Sequence, residues 1–252
     1  CMAAALLFLG GCKAGGKNEN INAGMEAVAA LEYDNALLSF AAAREAGEDL
    51  RRINRGEGIA YLGKSMYAEA AQALESALSY SDGRVSSMDY DINYYLATAY
   101  YKLGETGKAI DVYNAILALK EGEKDAYYLR GAILAEQGSI EQAMEDFDTA
   151  ISLDKSDYDR LIDIYCVLAE HGYKETGLAY LQTAMEAGTK DMTNYEKGRI
   201  CYYLEDYENA RNYLEKARDE GGYETILFLG RTYETLGDNN YAISVYSTFL
   251  ES

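Results

Sequence analysis

Proline and tryptophan are both absent from the 252 residues, and histidine occurs once, at His171. Without proline there is no polyproline linker, and nothing of that kind interrupts a long helix. A single histidine excludes the H-E-x-x-H helix and every zinc site built on several histidines. Cations are scarce: 23 lysines and arginines stand against 42 aspartates and glutamates, a net charge of -19. A surface that acidic repels phosphate backbones and anionic headgroups, so no nucleic-acid partner is expected. The four cysteines include no C-x-x-C pair. Hydrophobic residues are not scarce, at 49%, and 25 of the aromatics are tyrosine against five phenylalanines. That is enough apolar material for a packed core and argues against disorder.

The first residues carry an address. Met2 to Leu9 is an unbroken apolar run, too short for a bilayer span of about 20 residues but long enough for the core of a signal peptide. Leu9-Gly10-Gly11-Cys12 follows directly. The segment resembles the lipobox of bacterial lipoproteins, which implies residues 1–11 as a signal peptide and Cys12 as the lipidated mature N-terminus. Residues 12–20 then form a polar, glycine-rich tether. No basic residue precedes the apolar run, so the signal peptide reads as N-terminally incomplete. Gly11 to Asn18 also nearly matches a phosphate-binding loop. Asn18 replaces the required hydroxyl and no strand precedes it, so that match is set aside.

The remainder repeats. A small residue, an apolar one four later and a third three after that recur from Ala36-Phe40-Ala43 to Ala242-Tyr246-Phe249, seven times, at spacings of 34, 39, 34, 34, 33 and 32. Twelve residues before each lies a second element: Gly24, Gly58, Ala97, Gly131, Tyr165, Gly198 and Gly230, each but Tyr165 with a larger residue three later. Such i, i+3, i+4, i+7 patterning marks amphipathic helices, and the small residue lets two axes approach closely. Glycines at 104, 138, 172 and 237 mark turns between helices. The chain resembles the tetratricopeptide-repeat (TPR) family from about Lys17 to Ser252. The resemblance implies an all-α, right-handed superhelical solenoid of about seven helix-turn-helix repeats. Repeats one and two fall at 21–84, an insertion at 85–89, and repeats three to seven at 90–252. The fifth repeat departs from the pattern at Tyr165 and Gly177. The long spacing around residues 81–89 reads as a harmless surface insertion in preference to a hinge. No polar capping helix follows the last repeat, so a partner, a second copy or further sequence is expected to cover it.

Catalytic chemistry has little to stand on. His171 falls at a helix end, where an imidazole complements the dipole. Cys201 occupies a core position and Cys166 the inner face, one repeat apart and too far for a disulfide. Acidic pairs are so numerous that no spacing among them is informative. No enzyme activity, cofactor or metal is expected. The resemblance implies instead a groove lined by the first helix of each repeat. Projected onto this sequence, its positions hold Arg55, Tyr94, Tyr101, Tyr128, Tyr195, Arg199, Tyr202 and Arg231 among others. Tyrosine and arginine are richer there than a random scatter gives, and both bring large contact area and versatile hydrogen bonding. The Lys and Asn of the carboxylate-clamp groove are missing. The expectation is a non-enzymatic scaffold, lipid-anchored outside a bacterial cytoplasmic membrane, that holds a protein or peptide segment in this groove. An envelope assembly factor for outer-membrane or pilus biogenesis and a soluble cytoplasmic TPR adaptor are the alternatives. The oligomeric state is left open.

Overall fold

The computed structural model describes residues 18–81, 83–188, 192–218 and 222–250; the lipobox and Cys12 lie outside them. The described residues form fourteen helices and no strand. They pair in chain order. Repeat one is α1 (Glu19–Ala29) with α2 (Tyr33–Glu45), repeat two α3 (Leu50–Gly63) with α4 (Tyr67–Ser79), and repeat three α5 (Ser87–Lys102) with α6 (Thr106–Leu119). Repeat four is α7 (Lys124–Glu136) with α8 (Ile140–Leu153), and repeat five α9 (Tyr158–Glu170) with α10 (Lys174–Gly188). Repeat six is α11 (Asn194–Tyr203) with α12 (Tyr207–Ala217), and repeat seven α13 (Tyr223–Thr235) with α14 (Asn239–Leu250). All seven pairs fall where the sequence period puts them.

Several helices begin at a residue that satisfies their free N–H groups. The side chains of Asp49, Asp157 and Asp206 accept from the backbone three residues on, and Ser86 with Asp89 and Thr193 with Glu196 form reciprocal capping boxes. The capping box decides the start of α5. Ser87 to Asp89, read from sequence as insertion, are its first turn. Asp89 is further tied to Ser81 (3.3 Å) and Arg51, so the long connection is pinned at both ends.

The notch predicted from sequence is physical. A Cβ added at Gly24 or Gly56 would lie 2.4 or 2.3 Å from the ring of Phe40, which is clamped between α1 and α3 at zero exposure. Gly58 fits Leu74, Gly131 fits Phe147, Gly198 fits Leu214 and Gly230 fits Tyr246 in the same way, at 2.5, 2.8, 2.5 and 2.2 Å. Burying each of these large side chains stabilises the fold by roughly 1.5–3 kcal/mol, and the missing Cβ is what lets it in. Repeat five reverses the fit. Tyr165 occupies the notch, and Gly177 on α10 accommodates it; a Cβ there would lie 3.1 Å from Tyr165 Cα and Cδ2.

The chain forms two compact units, dividing after Leu119: α1–α6, then α7–α14. The first unit packs around Ile21, Phe40, Ile53 and Ala60 among others. The second holds successive clusters around Phe147 and Ile164, around Leu161 and Leu181, and around Leu214 and Phe228. In the second unit, repeat five meets both of its neighbours over few residues: α9 touches α7, α8 and α11, and α10 touches α11.

Candidate functional site: the first-helix face

The odd-numbered helices carry all eight predicted groove residues, three in the first unit and five in the second. In the first unit Arg55 on α3 pairs with Asp91 on α5 and reaches Met25 Sδ at 3.9 Å. Tyr94 tilts against Tyr113 on α6, with ring centroids 6.2 Å apart. Tyr101 is exposed, with Lys102 Nζ 5.6 Å from its ring centre.

The second unit brings its residues together. Tyr128 on α7 lies beneath the Arg160 guanidinium of α9, Cζ 4.0 Å from the ring centre, a close cation–π contact. Arg160 also donates to Asp125 on α7 at 2.6 Å and approaches Asp163 at 3.8 Å. One helix further, Arg199 on α11 pairs with Asp159 on α9 while its guanidinium stacks 5.1 Å from Tyr195 and 5.4 Å from Phe228. The Tyr195 hydroxyl donates to Glu224 on α13 at 2.6 Å. Burial, then that bond to a carboxylate, push the phenol well above its ordinary pKa. Tyr202 turns into packing, its ring 5.5–5.6 Å from Tyr203, Tyr207 and Phe228, and Arg231 is exposed on α13. Cys166 is exposed as a residue while its sulfur is half-buried against Tyr203; that partial burial, then Asp163 nearby, raises its pKa, the opposite of an activated nucleophile. Among the described residues no group of His, Cys, Asp and Glu is placed to hold a metal ion.

The second unit also has a concavity of about 770 Å³ elsewhere, between α8 and α10. Met144, Ile151, Leu161, Ala179 and Ala184 line it, and Tyr180 bridges its walls to Asp148 at 2.8 Å. It lies where repeat five meets repeat four loosely: α8 touches α9 over far fewer residues than α4 touches α5 or α12 touches α13.

Two tetratricopeptide-repeat family models match residues 55–159, as two overlapping copies, and 193–217, together just over half of the chain. The chain belongs to the tetratricopeptide-repeat family. A TPR repeat-containing protein of Methanocaldococcus jannaschii is 24% identical over 92% of this chain, which spans only 42% of that relative's length. Among solved structures, a TPR protein of Parabacteroides merdae is 18% identical, covers 92% of this chain and 91% of its own, and superposes with a TM-score of 0.56. MamA (20% identical, 66% of this chain and 95% of its own, TM-score 0.54) is also similar. So is YrrB, a TPR protein with an unusual peptide-binding site (24%, 70% and 88%, TM-score 0.52). These likenesses establish the fold.

Once the TPR register is fixed, the sequence reading proves to have passed over the carboxylates of this face. Asp91, Asp125 and Asp159 occupy the same early position in repeats three, four and five, each 34 residues from the next, and Glu224 takes it in repeat seven. Each accepts a hydrogen bond from a neighbouring first helix: Asp91 from Arg55, Asp125 from Arg160, Asp159 from Arg199, Glu224 from Tyr195. The signal was available, since their spacing is the repeat period itself. It was lost in a census that treated all carboxylates as equivalent.

Proposed function

We propose that this TPR protein is a non-enzymatic scaffold that holds an extended segment or helix of another protein against the first-helix face of its second unit. The observation that carries the reading is the row Tyr128–Arg160–Asp159–Arg199–Tyr195. These aromatic and guanidinium groups come from the first helices of three successive repeats, locked in place by ion pairs between helices. Side chains already fixed in place lose little rotamer freedom on binding, so the arginines hold the tyrosines and aspartates of the row ready as contact residues. The peptide-binding site of YrrB, a protein of the same fold, is in keeping with this use. Capture of partners from lysate by the wild type and by Tyr128→Ala, Tyr195→Ala and Arg199→Ala variants tests it. Partners held by the face should be lost from the variants, and an unchanged set would rule the face out.

The lipobox motivates the second half of the proposal, an anchor at Cys12 that keeps the repeats on the outer side of a bacterial membrane. No helix among the described residues is long and apolar enough to cross a membrane, and in this reading the lipid provides attachment. Metabolic labelling with a radioactive fatty acid should mark the wild type and not Cys12→Ser. Equal labelling, or equal distribution of both forms between membrane and soluble fractions, would reject the anchor.

A further inference from the structure

Although the first-helix face was read from its arginines, those side chains are the recessed partners. Arg199 is 15% exposed and Asp159, which accepts from it, 72%. Arg160 is 18% exposed, whereas Asp125 and Asp163 beside it are 53% and 54%. The Nε atoms of Arg160 and Arg199 are buried without a hydrogen-bond partner among the described residues, so the Nε edge of each guanidinium lies within the wall. Lys124, the other cation at this end, is satisfied by Asp154 and Asp157 at 2.6 and 2.8 Å. What projects from α7 and α9 toward a visitor is therefore carboxylate, framed by the rings of Tyr128 and Tyr195.

We infer that the segment received by this face is cationic, an extended peptide carrying lysine or arginine at about every third residue. This deepens the scaffold reading above and rests on it. Adjacent packed helices lie about 8–10 Å apart. A polyproline-II strand has three residues per turn and rises about 3.1 Å per residue, so every third side chain points the same way at about 9 Å intervals. Cations at that spacing meet Asp125 and then the Asp159–Asp163 pair on consecutive first helices, with their alkyl stems beside the tyrosine rings. Recessed arginines explain why the face need not repel them: each guanidinium charge is already answered by an aspartate.

The test uses three labelled peptides, four repeats each of Lys-Pro-Ala, Gln-Pro-Ala and Glu-Pro-Ala, titrated with the full chain by fluorescence anisotropy at about 0.15 M salt, where the Debye length is about 8 Å. The lysine peptide should bind tightest. The paired change Asp125→Asn with Asp159→Asn should weaken it about tenfold, the order expected for two partly exposed charge contacts. Asp163→Asn, which removes only a long contact within the protein, should weaken it in the same direction and guards against misfolding of the pair. Changing Glu141→Gln with Glu145→Gln removes as much charge from exposed positions on α8 and should leave affinity within about twofold, since bulk attraction alone is screened by salt. The inference is overturned if the lysine peptide binds no tighter than the glutamine peptide, or if the α8 pair weakens it as much as the groove pair. Tight binding of the glutamate peptide that disappears in Tyr128→Ala would overturn the cationic partner while leaving the scaffold face intact.

Discussion

At the scale of single residues, the turn between the two helices of each repeat is the most repetitive feature of the molecule. Leu31, Ser65, Gly104, Gly138, Gly172, Glu205 and Gly237 share a left-handed backbone, φ between 59 and 89°. At each, the residue's own N–H bonds the carbonyl three back, and the next N–H bonds the carbonyl five back, as in Glu32 to Ala27 or Asp238 to Tyr233. This closes the helix in a Schellman motif. Four repeats use glycine, which enters that region freely; Leu31, Ser65 and Glu205 pay about 1 kcal/mol or more for it. Glycine also gains freedom in the unfolded chain, which offsets part of the relief. Leu31→Gly and Ser65→Gly are therefore each expected to raise unfolding free energy by about 0.5–1 kcal/mol in urea titrations, and Gly138→Ala to lower it by a similar amount. A loss of stability in both glycine variants would mean that the turn is not strained. Glu205→Gly should gain less, because its exposed contact with Lys174 Nζ (2.6 Å) goes with the side chain.

At the scale of elements, the nesting of a large side chain into a glycine notch sets how closely paired helices approach. Gly198 is the clearest instance, with Leu214 Cγ 2.5 Å from where a Cβ would stand and the Leu214 backbone nitrogen at 3.3 Å. Gly198→Val drives α11 off α12 and is expected to cost about 1–3 kcal/mol, beyond any gain in helix propensity. Because repeat proteins transmit stability mainly between neighbours, hydrogen exchange should speed up in α11–α13 and stay unchanged in α1–α4. Acceleration of equal size throughout would show that nesting is not local. The notch, the helix pairs and four of the seven turns were legible in the sequence because each is fixed by residues less than about twenty apart, with types that physics restricts. The reversal in repeat five was visible only as two anomalies, Tyr165 and Gly177; it takes the structure to show them as one fit. The arginine–aspartate pairs between first helices escaped because their partners lie 35–40 residues apart among 42 carboxylates. The gap between α8 and α10 escaped because it depends on how repeats are inclined to one another, which no local pattern encodes.

At the scale of the whole molecule, the abundance of tyrosine makes stability sensitive to alkali. Several phenols are both buried and bonded to carboxylates of the neighbouring repeat. Burial, then the hydrogen bond to Glu75, lift Tyr100 to about 12, and burial with the bond to Glu215 (2.6 Å) does the same for Tyr233. Tyr113 reaches about 12 through burial alone, and Tyr180 and Tyr195 are raised further by burial and by Asp148 and Glu224. In the unfolded chain these groups titrate near 10. Below that pH both states hold the protons and the stabilisation is complete. Between about 10 and 12 the unfolded chain releases protons that the native state retains, so stability falls steadily as pH rises through the window. Each tyrosinate also adds to a charge of -19, and self-repulsion works in the same direction. Helix content followed by far-ultraviolet circular dichroism should thus collapse cooperatively within that window, together with a step in tyrosinate absorbance, which no tryptophan obscures. In the double variant Tyr100→Phe with Tyr233→Phe, neither ring can ionise. Its unfolding free energy, lower at neutral pH for want of two hydrogen bonds, should decline less steeply between pH 10 and 12 than that of the wild type. Parallel slopes would mean that these two tyrosines do not carry the alkaline transition, and that the repulsion of the acidic surface alone drives it.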